Sequence, residues 1–412
     1  MNQTERDLYY TEEDFEQRIQ RKRDRALSRP ILWYLLLTVI CVFGRDSILA
    51  PLGISENVYY YIRYGAPTLA TLYALLFIKK KFLGWFAGME IIFGFSYIYA
   101  YIQDNMLQGN ILVYLVTTLI VCIPSAICIA SIEDYEYFYQ KLKLTSVVVS
   151  IIVLIYIYQP LVGTTYSMPA SYQILWCSVL HVNEVFKKNS KKIEIILFAA
   201  FSVFEVITIF IRGARGPLLC FAVYLAAKVI IEMRSNKKAM FTGLLGAMVL
   251  VVIAQNVDSV VSWISLKLNQ AGLYSRNLQY ILSKSIFDGS GRDVWRDRAI
   301  DLIWERPLWG YGASSDVKLL GGQYAHSLPL ELMFDFGILI GGIIFIVICL
   351  YVIGIFFAEE GVKRDLKLVL LSEGFVMLFF SGTYLQSIFL FLFIGLLLSE
   401  EHRYKIRFGR RH

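Results

Sequence analysis

The sequence has little charge, no paired cysteines and few histidines, and each shortage narrows the class of protein. Only 18% of its 412 residues are charged while 57% are hydrophobic, against roughly 25% charged residues in ordinary soluble domains. The six cysteines all fall within apolar runs and form no CxxC pair, so neither a disulfide framework nor a zinc site is indicated. The first 30 residues are polar, and no cleavable signal peptide is visible.

What the sequence does contain is a series of apolar runs of bilayer-spanning length, about 17–25 residues each. They predict an all-α polytopic membrane protein with about 12 transmembrane helices. Residues 1–30 and 400–412 are predicted to be tails, and residues 258–327 form one long loop between the ninth and tenth spans. The predicted spans lie near 31–50, 58–78, 83–102, 110–130, 144–163, 170–186, 193–211, 217–233, 239–257, 328–357, 366–382 and 385–399.

The distribution of Lys and Arg predicts the orientation of these spans. The tails and every second connection hold 27 of them, and the other short connections hold only Arg45, Arg212 and Arg215. By the positive-inside rule, both termini are cytoplasmic and the long loop 258–327 is extracytoplasmic, in a cytoplasmic (inner or plasma) membrane. The net charge of +7 is explained by these clusters, so no nucleic-acid partner is predicted.

Two arginines stand in one short connection on the predicted outer side, and the other short outer connections hold only Arg45. Arg212 and Arg215 flank a tight Gly/Pro turn that ends at Pro217, between the seventh and eighth spans. A guanidinium presents a rigid fork of donors that suits bidentate phosphate contacts. The alternative is that both side chains reach out to lipid headgroups.

The long loop contains a second motif, Gly289-Ser290-Gly291-Arg292, followed by a helical pattern. Ser290 and Asp293 resemble a capping box. An amphipathic helix lying along the membrane surface is predicted, with Arg292 at its N-terminal end, where backbone N–H groups favour anions. Its apolar face consists of Trp295, Ala299, Leu302 and Ile303.

The loop ends at His326, the single histidine on the predicted outer side. Its side chain is suited to proton transfer near neutral pH, and Glu331 is placed to orient it from the following helix turn. A structural role is the alternative, since a lone histidine usually has one. Glycine turns at Gly310 and Gly312 precede it.

Taken in order, these motifs resemble the O-antigen polymerase and O-antigen ligase superfamily of bacterial membrane glycosyltransferases. Members carry a Ser-Arg-Gly-like turn, S-G-R before a Trp-containing helix, Glu-x-Pro-x-x-Gly-x-Gly, and His-Asn or His-Ser with an acidic residue and Gly-x-x-Gly. Ala214 stands where a small hydroxyl residue is usual, and Ile340 where glycine is frequent. The matching residues here are Arg215, Gly291, Arg292, Trp295, Glu305, Pro307, Gly310, Gly312, His326, Glu331 and Gly337.

The resemblance implies a GT-C-like fold and a polyprenyl-pyrophosphate-linked oligosaccharide donor, whose glycan is transferred to a hydroxyl of an acceptor glycan. The residues that would bind the donor pyrophosphate are Arg212, Arg215 and Arg292. Which of Arg212 and Arg215 is the principal phosphate ligand is left open. His326 would act as base with support from Glu331, or hydrogen-bond the sugar or phosphate. No Asp-x-Asp motif occurs in any predicted outer segment, so no metal and no cofactor is expected.

Three functions remain. The first is polymerisation of repeat units into a capsule, exopolysaccharide or O-antigen, with a flippase and a chain-length regulator of the same pathway as candidate partners. The second is ligase-type transfer of a finished glycan to a lipid or protein. The third is a glycolipid flippase or transporter. Charged residues within the predicted spans would fit that function, because such residues often line polar pathways, although no transporter-type internal repeat is evident. Those charges are Arg63, Glu90, Glu205, Lys228 and Glu373.

Overall fold

The computed structural model describes residues 3–44, 49, 51–55, 58–59, 61–106, 111–158, 167–187, 191–235, 257–270, 275–283, 291–358 and 360–399. Over these residues the protein is helical and contains no β-strand, as the sequence predicts. The α-helices are α1 Gln3–Phe43, α2 Ala66–Leu75, α3 Leu83–Ile102, α4 Ile111–Leu115, α5 Ile123–Ser131, α6 Tyr135–Tyr158, α7 Met168–Phe186, α8 Lys192–Arg212, α9 Arg215–Ser235, α10 Val257–Gln270, α11 Arg276–Leu282, α12 Arg292–Glu305, α13 Ser315–Leu319, α14 Leu328–Ile355, α15 Val362–Leu371 and α16 Ile388–Leu398.

Seven helices in the described part of the chain are long and apolar enough to cross a bilayer, which makes this a membrane protein. The predicted number of about 12 spans is not confirmed. The predicted span 239–257 lies outside the described residues except for residue 257, and the spans predicted at 58–78, 366–382 and 385–399 form shorter or interrupted helices. The span predicted at 170–186 lies within the unbroken helix α7, which is not among the seven. The seven are Phe15–Phe43, Lys80–Ile102, Val113–Ser131, Tyr135–Tyr158, Lys192–Arg212, Arg215–Met233 and Leu328–Ile355.

The N-terminal tail and the first span form one helix. α1 runs through Pro30 without a break, so residues on both sides of the predicted boundary at residue 30 belong to the same helix. Near its middle, Asp24 accepts hydrogen bonds from the backbone N–H groups of Glu133 (3.1 Å) and Asp134 (2.9 Å). These bonds tie the polar half of α1 to the connection between α5 and α6.

The last two predicted spans, 366–382 and 385–399, are parts of a discontinuous helical segment. α15 continues as a π-helix, Ser372–Val376, and a 3₁₀ turn, Met377–Phe379, before residues 380–383 leave helical geometry. A second 3₁₀ turn, Tyr384–Gln386, leads into α16. Such a break leaves backbone polar groups that need partners within the protein, and the candidate site supplies them.

The tenth predicted span also differs from the prediction, because α14 is broken at Gly337. That residue has φ 80° and ψ 167°, which is not helical. Residues 307–312, here called the clamp loop, fill the gap. The Tyr311 N–H donates to the Phe334 carbonyl (2.8 Å), and the Gly312 N–H donates to the Asp335 carbonyl (3.1 Å). On the other side of the break, the Ile338 N–H donates to the Pro307 carbonyl (2.7 Å). Groups that the break frees are therefore paired.

Two glycines permit this approach of backbone to backbone. A Cβ atom at Gly310 would lie 2.5 Å from the Phe334 carbonyl oxygen, and one at Gly337 would lie 2.3 Å from the Leu308 carbonyl oxygen. Both residues have positive φ, 64° and 80°, where side chains other than hydrogen are disfavoured. The motif glycines thus have a physical role in joining the clamp loop to α14.

Candidate functional site

Arg212 and Arg215 lie on either side of the turn between α8 and α9, as predicted, but their guanidinium groups have different surroundings. Arg212 donates from Nη1 to the Ile157 carbonyl (2.9 Å) and lies 4.8 Å from the Tyr158 ring centroid. Arg215 lies 4.5 Å from the ring centroid of Tyr280. Arg212 is therefore engaged at the end of α6, whereas Arg215 faces the short helix α11 from the long loop.

The long loop is attached to this turn by Asn277, a residue that the sequence analysis did not select. Its Nδ2 donates to the carbonyls of Ile209 (3.1 Å), Phe210 (3.0 Å) and Gly213 (3.0 Å). Helix C-termini leave carbonyls without intrahelical partners, and Asn277 satisfies those of α8. An amide alone in a sequence does not indicate this role, because its acceptors lie more than 60 residues away.

Arg292 opens α12, with Gly291 as N-cap in a left-handed conformation. Asp293 is consequently the second helical residue, so the predicted capping box with Ser290 is wrong, and Ser290 itself lies outside the described residues. Arg292 donates from Nη1 to the Phe380 carbonyl and lies 3.9 Å from Met168 Sδ through Nη2. It thereby serves one of the carbonyls at the break before α16.

Arg296 lies one helical turn after Arg292 and shares its face of α12. It donates from Nη2 to the carbonyls of Phe379 (2.9 Å) and His326 (3.2 Å), and its Nε has no partner among the described residues. Arg296 is not among the predicted site residues. The i, i+4 spacing from Arg292 is the signal that could have identified it, since such residues are neighbours on a helix.

His326 is enclosed beside these two arginines. Its side chain is only 7% exposed, its backbone has φ 54°, and its ring centroid lies 3.9 Å from that of Tyr324. Its Nδ1 has no hydrogen-bond partner in the described part of the chain. Burial, followed by the positive charges of Arg292 and Arg296, lowers the pKa of His326 to about 4, so the imidazole is neutral at physiological pH.

Glu331 forms no hydrogen bond or ion pair with His326 in the described part of the chain. Its Oε2 accepts a hydrogen bond from the Tyr384 backbone N–H at 3.1 Å, and its Oε1 is without a partner among the described residues. The reason is that Ser327 ends the loop and α14 turns Glu331 inward, toward the break before α16. The base and the carboxylate that were expected to act together therefore face different neighbours.

Two further buried carboxylates near Glu331 were not predicted. Asp316 accepts from the backbone N–H groups of Val317 (2.9 Å) and Ala325 (3.2 Å), and Asp335 accepts from the Tyr384 hydroxyl (2.5 Å). Burial raises the pKa of Asp316 to about 6, although those N–H groups act in the opposite direction. Because Ala325 precedes His326, Asp316 fixes the backbone on which the histidine stands.

The remaining motif residues form the support of the site. Trp295 is half-buried and packs, as predicted, with the apolar face of α12. Glu305 is exposed and accepts a hydrogen bond from the Tyr311 hydroxyl at 3.3 Å. The clamp loop contains Pro307, Gly310 and Gly312. An open pocket of about 370 Å³ lies beside this loop, and His326 is not among the residues that line the pocket.

The start of α7 brings the two arginine groups into one region. Ser171 Oγ accepts from the Ala214 N–H (3.2 Å), and Met168 contacts Arg292. A Cβ atom at Gly216 would lie 2.3 Å from the Tyr172 hydroxyl. Arg215, Arg292 and Arg296 thus border adjacent segments, with neutral His326 next to the last two. Among the described residues no group of three His, Cys, Asp or Glu side chains is placed to hold a metal ion.

The fold defines a class, a polytopic membrane protein, and the candidate site in it is bordered by arginine side chains. A family model described as O-Antigen ligase matches residues 198–346. That range contains every predicted site residue, and it confirms the resemblance to the O-antigen polymerase and ligase superfamily, whose members are membrane glycosyltransferase-like enzymes. No curated protein and no solved structure matches the chain.

Proposed function

We propose that the protein polymerises polyprenyl-pyrophosphate-linked oligosaccharide repeat units into a surface polysaccharide on the outer face of the cytoplasmic membrane. The observation that supports this best is the pairing of neutral, enclosed His326 with the guanidinium groups of Arg292 and Arg296. A neutral imidazole can accept a proton, and two adjacent guanidiniums can stabilise an anionic leaving group.

In the proposed reaction, an acceptor hydroxyl attacks the anomeric carbon of the donor. The bond between that carbon and the pyrophosphate oxygen breaks, and its electron pair leaves with the lipid pyrophosphate. The proton of the hydroxyl passes to His326. Arg292 and Arg296 exchange the carbonyl oxygens of Phe380 and Phe379 for phosphate oxygens, since charge-assisted hydrogen bonds to an anion are about twice as strong as those to a neutral acceptor.

Arg215 is assigned to the same pyrophosphate, and Arg212 to the support of the turn. Arg212 already bonds the Ile157 carbonyl at the end of α6, whereas Arg215 borders the region where Met168 meets Arg292. This assignment makes Arg215 the principal ligand of the two. About 12 spans, cytoplasmic termini, a GT-C-like fold and assistance from a flippase and chain-length regulator belong to the proposal as well.

Ligase-type transfer is the second candidate, favoured by the description of the matching family as O-Antigen ligase. Both reactions use the same donor chemistry and differ in the acceptor. Transport is less favoured, because two of the buried charges have paired neighbours. Glu205 contacts His181 at 3.0 Å, and Lys228 contacts Asp365 at 3.1 Å, as expected for packed helices.

Reconstituted protein supplied with lipid-linked repeat units tests the proposal. A ladder of longer lipid-linked glycans is expected, with and without EDTA, and Arg292→Gln is expected to abolish it. Arg298→Gln provides a matched control, because Arg298 lies on the exposed face of the same helix. Transfer only to an added lipid or protein acceptor would establish the ligase, and translocation without any new glycosidic bond would refute the enzyme.

A further inference from the structure

The N-terminal half of α1 carries charged residues on two faces, and one of these faces is used inside the protein. Arg23 donates from Nε to the Phe77 carbonyl (2.9 Å) and lies 3.6 Å from the Glu133 carboxylate. Asp24 accepts from the backbone of Glu133 and Asp134. These contacts fix the rotation of α1 about its own axis, so the opposite face points away from the protein in a defined direction.

That opposite face, here called the cationic face, has no comparable contacts. Its residues recur at helical spacing and are all exposed, and none forms a salt bridge with a side chain that the structure describes. Like charges at this spacing repel one another, so a bound anion would stabilise them. The cationic face consists of Arg18, Arg21, Lys22, Arg25 and Arg29.

The cationic face lines a pocket, which distinguishes it from an ordinary solvated helix surface. The pocket is open to the surface and has a volume of about 330 Å³. It is lined by the five cations, by buried Ala26 and by Tyr73 of α2. Small-molecule sites commonly have volumes of about 300–1,000 Å³. Because Tyr73 comes from a neighbouring helix, the pocket exists only where α1 and α2 pack together.

Beyond the pocket, toward the apolar half of α1, the exposed surface becomes hydrophobic. Trp33 follows Arg29 by one turn and is 45% exposed, and Leu69 precedes Tyr73 by one turn and is 70% exposed. Tryptophan is enriched where lipid headgroups meet the hydrocarbon core. The order of cations, aromatic ring and apolar side chains corresponds to the order of headgroup, interface and acyl chain in one lipid leaflet.

We propose that this pocket binds the phosphate headgroup of an anionic phospholipid, with the acyl chains along Trp33 and Leu69. Guanidinium groups suit phosphate oxygens, and Lys/Arg clusters next to a transmembrane helix attract anionic lipid. The site shares no residue with the site around His326. Inorganic phosphate offers the same kind of acceptor oxygens, but it would leave the apolar part of the surface without a partner.

The purified full-length protein in detergent is titrated with phosphatidylglycerol, phosphatidylcholine and glycerol phosphate, and bound lipid is counted by native mass spectrometry. Phosphatidylglycerol is expected to bind the wild type at least about tenfold more tightly than the other two. Each cation contributes roughly a fivefold factor in affinity near an anionic headgroup. The triple variant Arg21→Gln, Arg25→Gln, Arg29→Gln is therefore expected to bind about 100-fold more weakly.

The matched control is Lys80→Gln, Lys191→Gln, Lys192→Gln, which removes the same charge from exposed positions predicted to lie on the same membrane side. Equal weakening in both triple variants would overturn the proposal in favour of a general surface effect. Equal binding of glycerol phosphate would replace the lipid by a soluble anion. If the triple variant does not fold, the three titrations of the wild type still decide between lipid, soluble anion and no anion preference.

Discussion

Arg296 donates a hydrogen bond from its guanidinium to the backbone carbonyl of His326 at 3.2 Å, and a second to the Phe379 carbonyl at 2.9 Å. One side chain thus joins the amphipathic helix α12, the loop that carries the histidine and the break before α16. Burial lowers the pKa of His326, and the charges of Arg292 and Arg296 lower it further. Geometry and electrostatics at the candidate base are therefore coupled through α12.

We expect Arg296→Lys to lower the rate of glycan transfer by ~10-fold to 1000-fold, the range for loss of one preorganised donor. An ammonium group cannot reach two carbonyls in the planar geometry of a guanidinium. Arg298→Lys, on the exposed face of the same helix, should keep wild-type activity. Initial rates in nanodiscs measure both variants, and a fully active Arg296→Lys protein would remove Arg296 from the site.

His326→Gln should reduce the transfer rate by ~100-fold to 10,000-fold if His326 is the general base. Donor binding should be retained, because the arginines bind the pyrophosphate separately. Equilibrium binding of the lipid-linked donor, measured alongside the rate, separates the two effects. A variant that also loses donor binding would make His326 a phosphate ligand, and a variant with normal polymer length would give it a structural role.

The pH dependence of kcat/KM follows from the pKa of His326, which is about 4 in the absence of donor. The neutral form is the active one, so the rate should stay level as pH falls from 8 to about 5 and should decrease only as pH approaches 4. A histidine with an unperturbed pKa near 6.5 would instead halve the rate near that pH. A half-maximal rate between pH 6 and 7 would contradict the enclosed, cation-flanked environment.

Gly337→Ala should destabilise the protein by about 3 kcal/mol or more. The added methyl group would clash with the Leu308 carbonyl, and the alanine would have to adopt the positive φ of this position. Gly354→Ala is the control in the same helix, since nothing lies within 4 Å of its added Cβ. The surviving monomer peak after heating in detergent compares the two. Equal thermal survival would mean that the clamp loop can move away from α14 at little cost.

The orientation of the chain can be measured with single cysteines in a cysteine-free background. Asp297→Cys and Lys192→Cys both stand at exposed positions, on opposite predicted sides of the membrane. An impermeant thiol reagent applied to intact cells should label the first and not the second, as the positive-inside rule requires. The reverse pattern would place the site around His326 in the cytoplasm and exclude an outer-face polymerase.

The sequence by itself determined the membrane class, the helical architecture and the positions of most helices, because apolar runs and helical periodicity are local properties. It also identified α12 and its apolar face, since Ala299, Leu302 and Ile303 recur with the period of a helix. The same local patterns could not reveal that α14 breaks at Gly337. That break depends on the clamp loop, whose backbone supplies the hydrogen bonds that an uninterrupted helix would have made internally.

The candidate site shows the same division. Arg292 and His326 could be selected from their residue types and predicted location, and Arg296 from its i, i+4 spacing to Arg292, but the contacts of Arg296 could not be predicted, because its partners lie elsewhere in the chain. Asp316 bonds backbone groups only one and nine residues away, and its residue type alone does not indicate that role. Arg296 meets Phe379, 83 positions later, at a carbonyl that is free only because the helix before α16 ends there. Glu331 is the converse case, near His326 in sequence yet bonded to Tyr384. Which polar groups face one another was decided by the packing of distant helices, since leaving a buried polar group unpaired costs free energy.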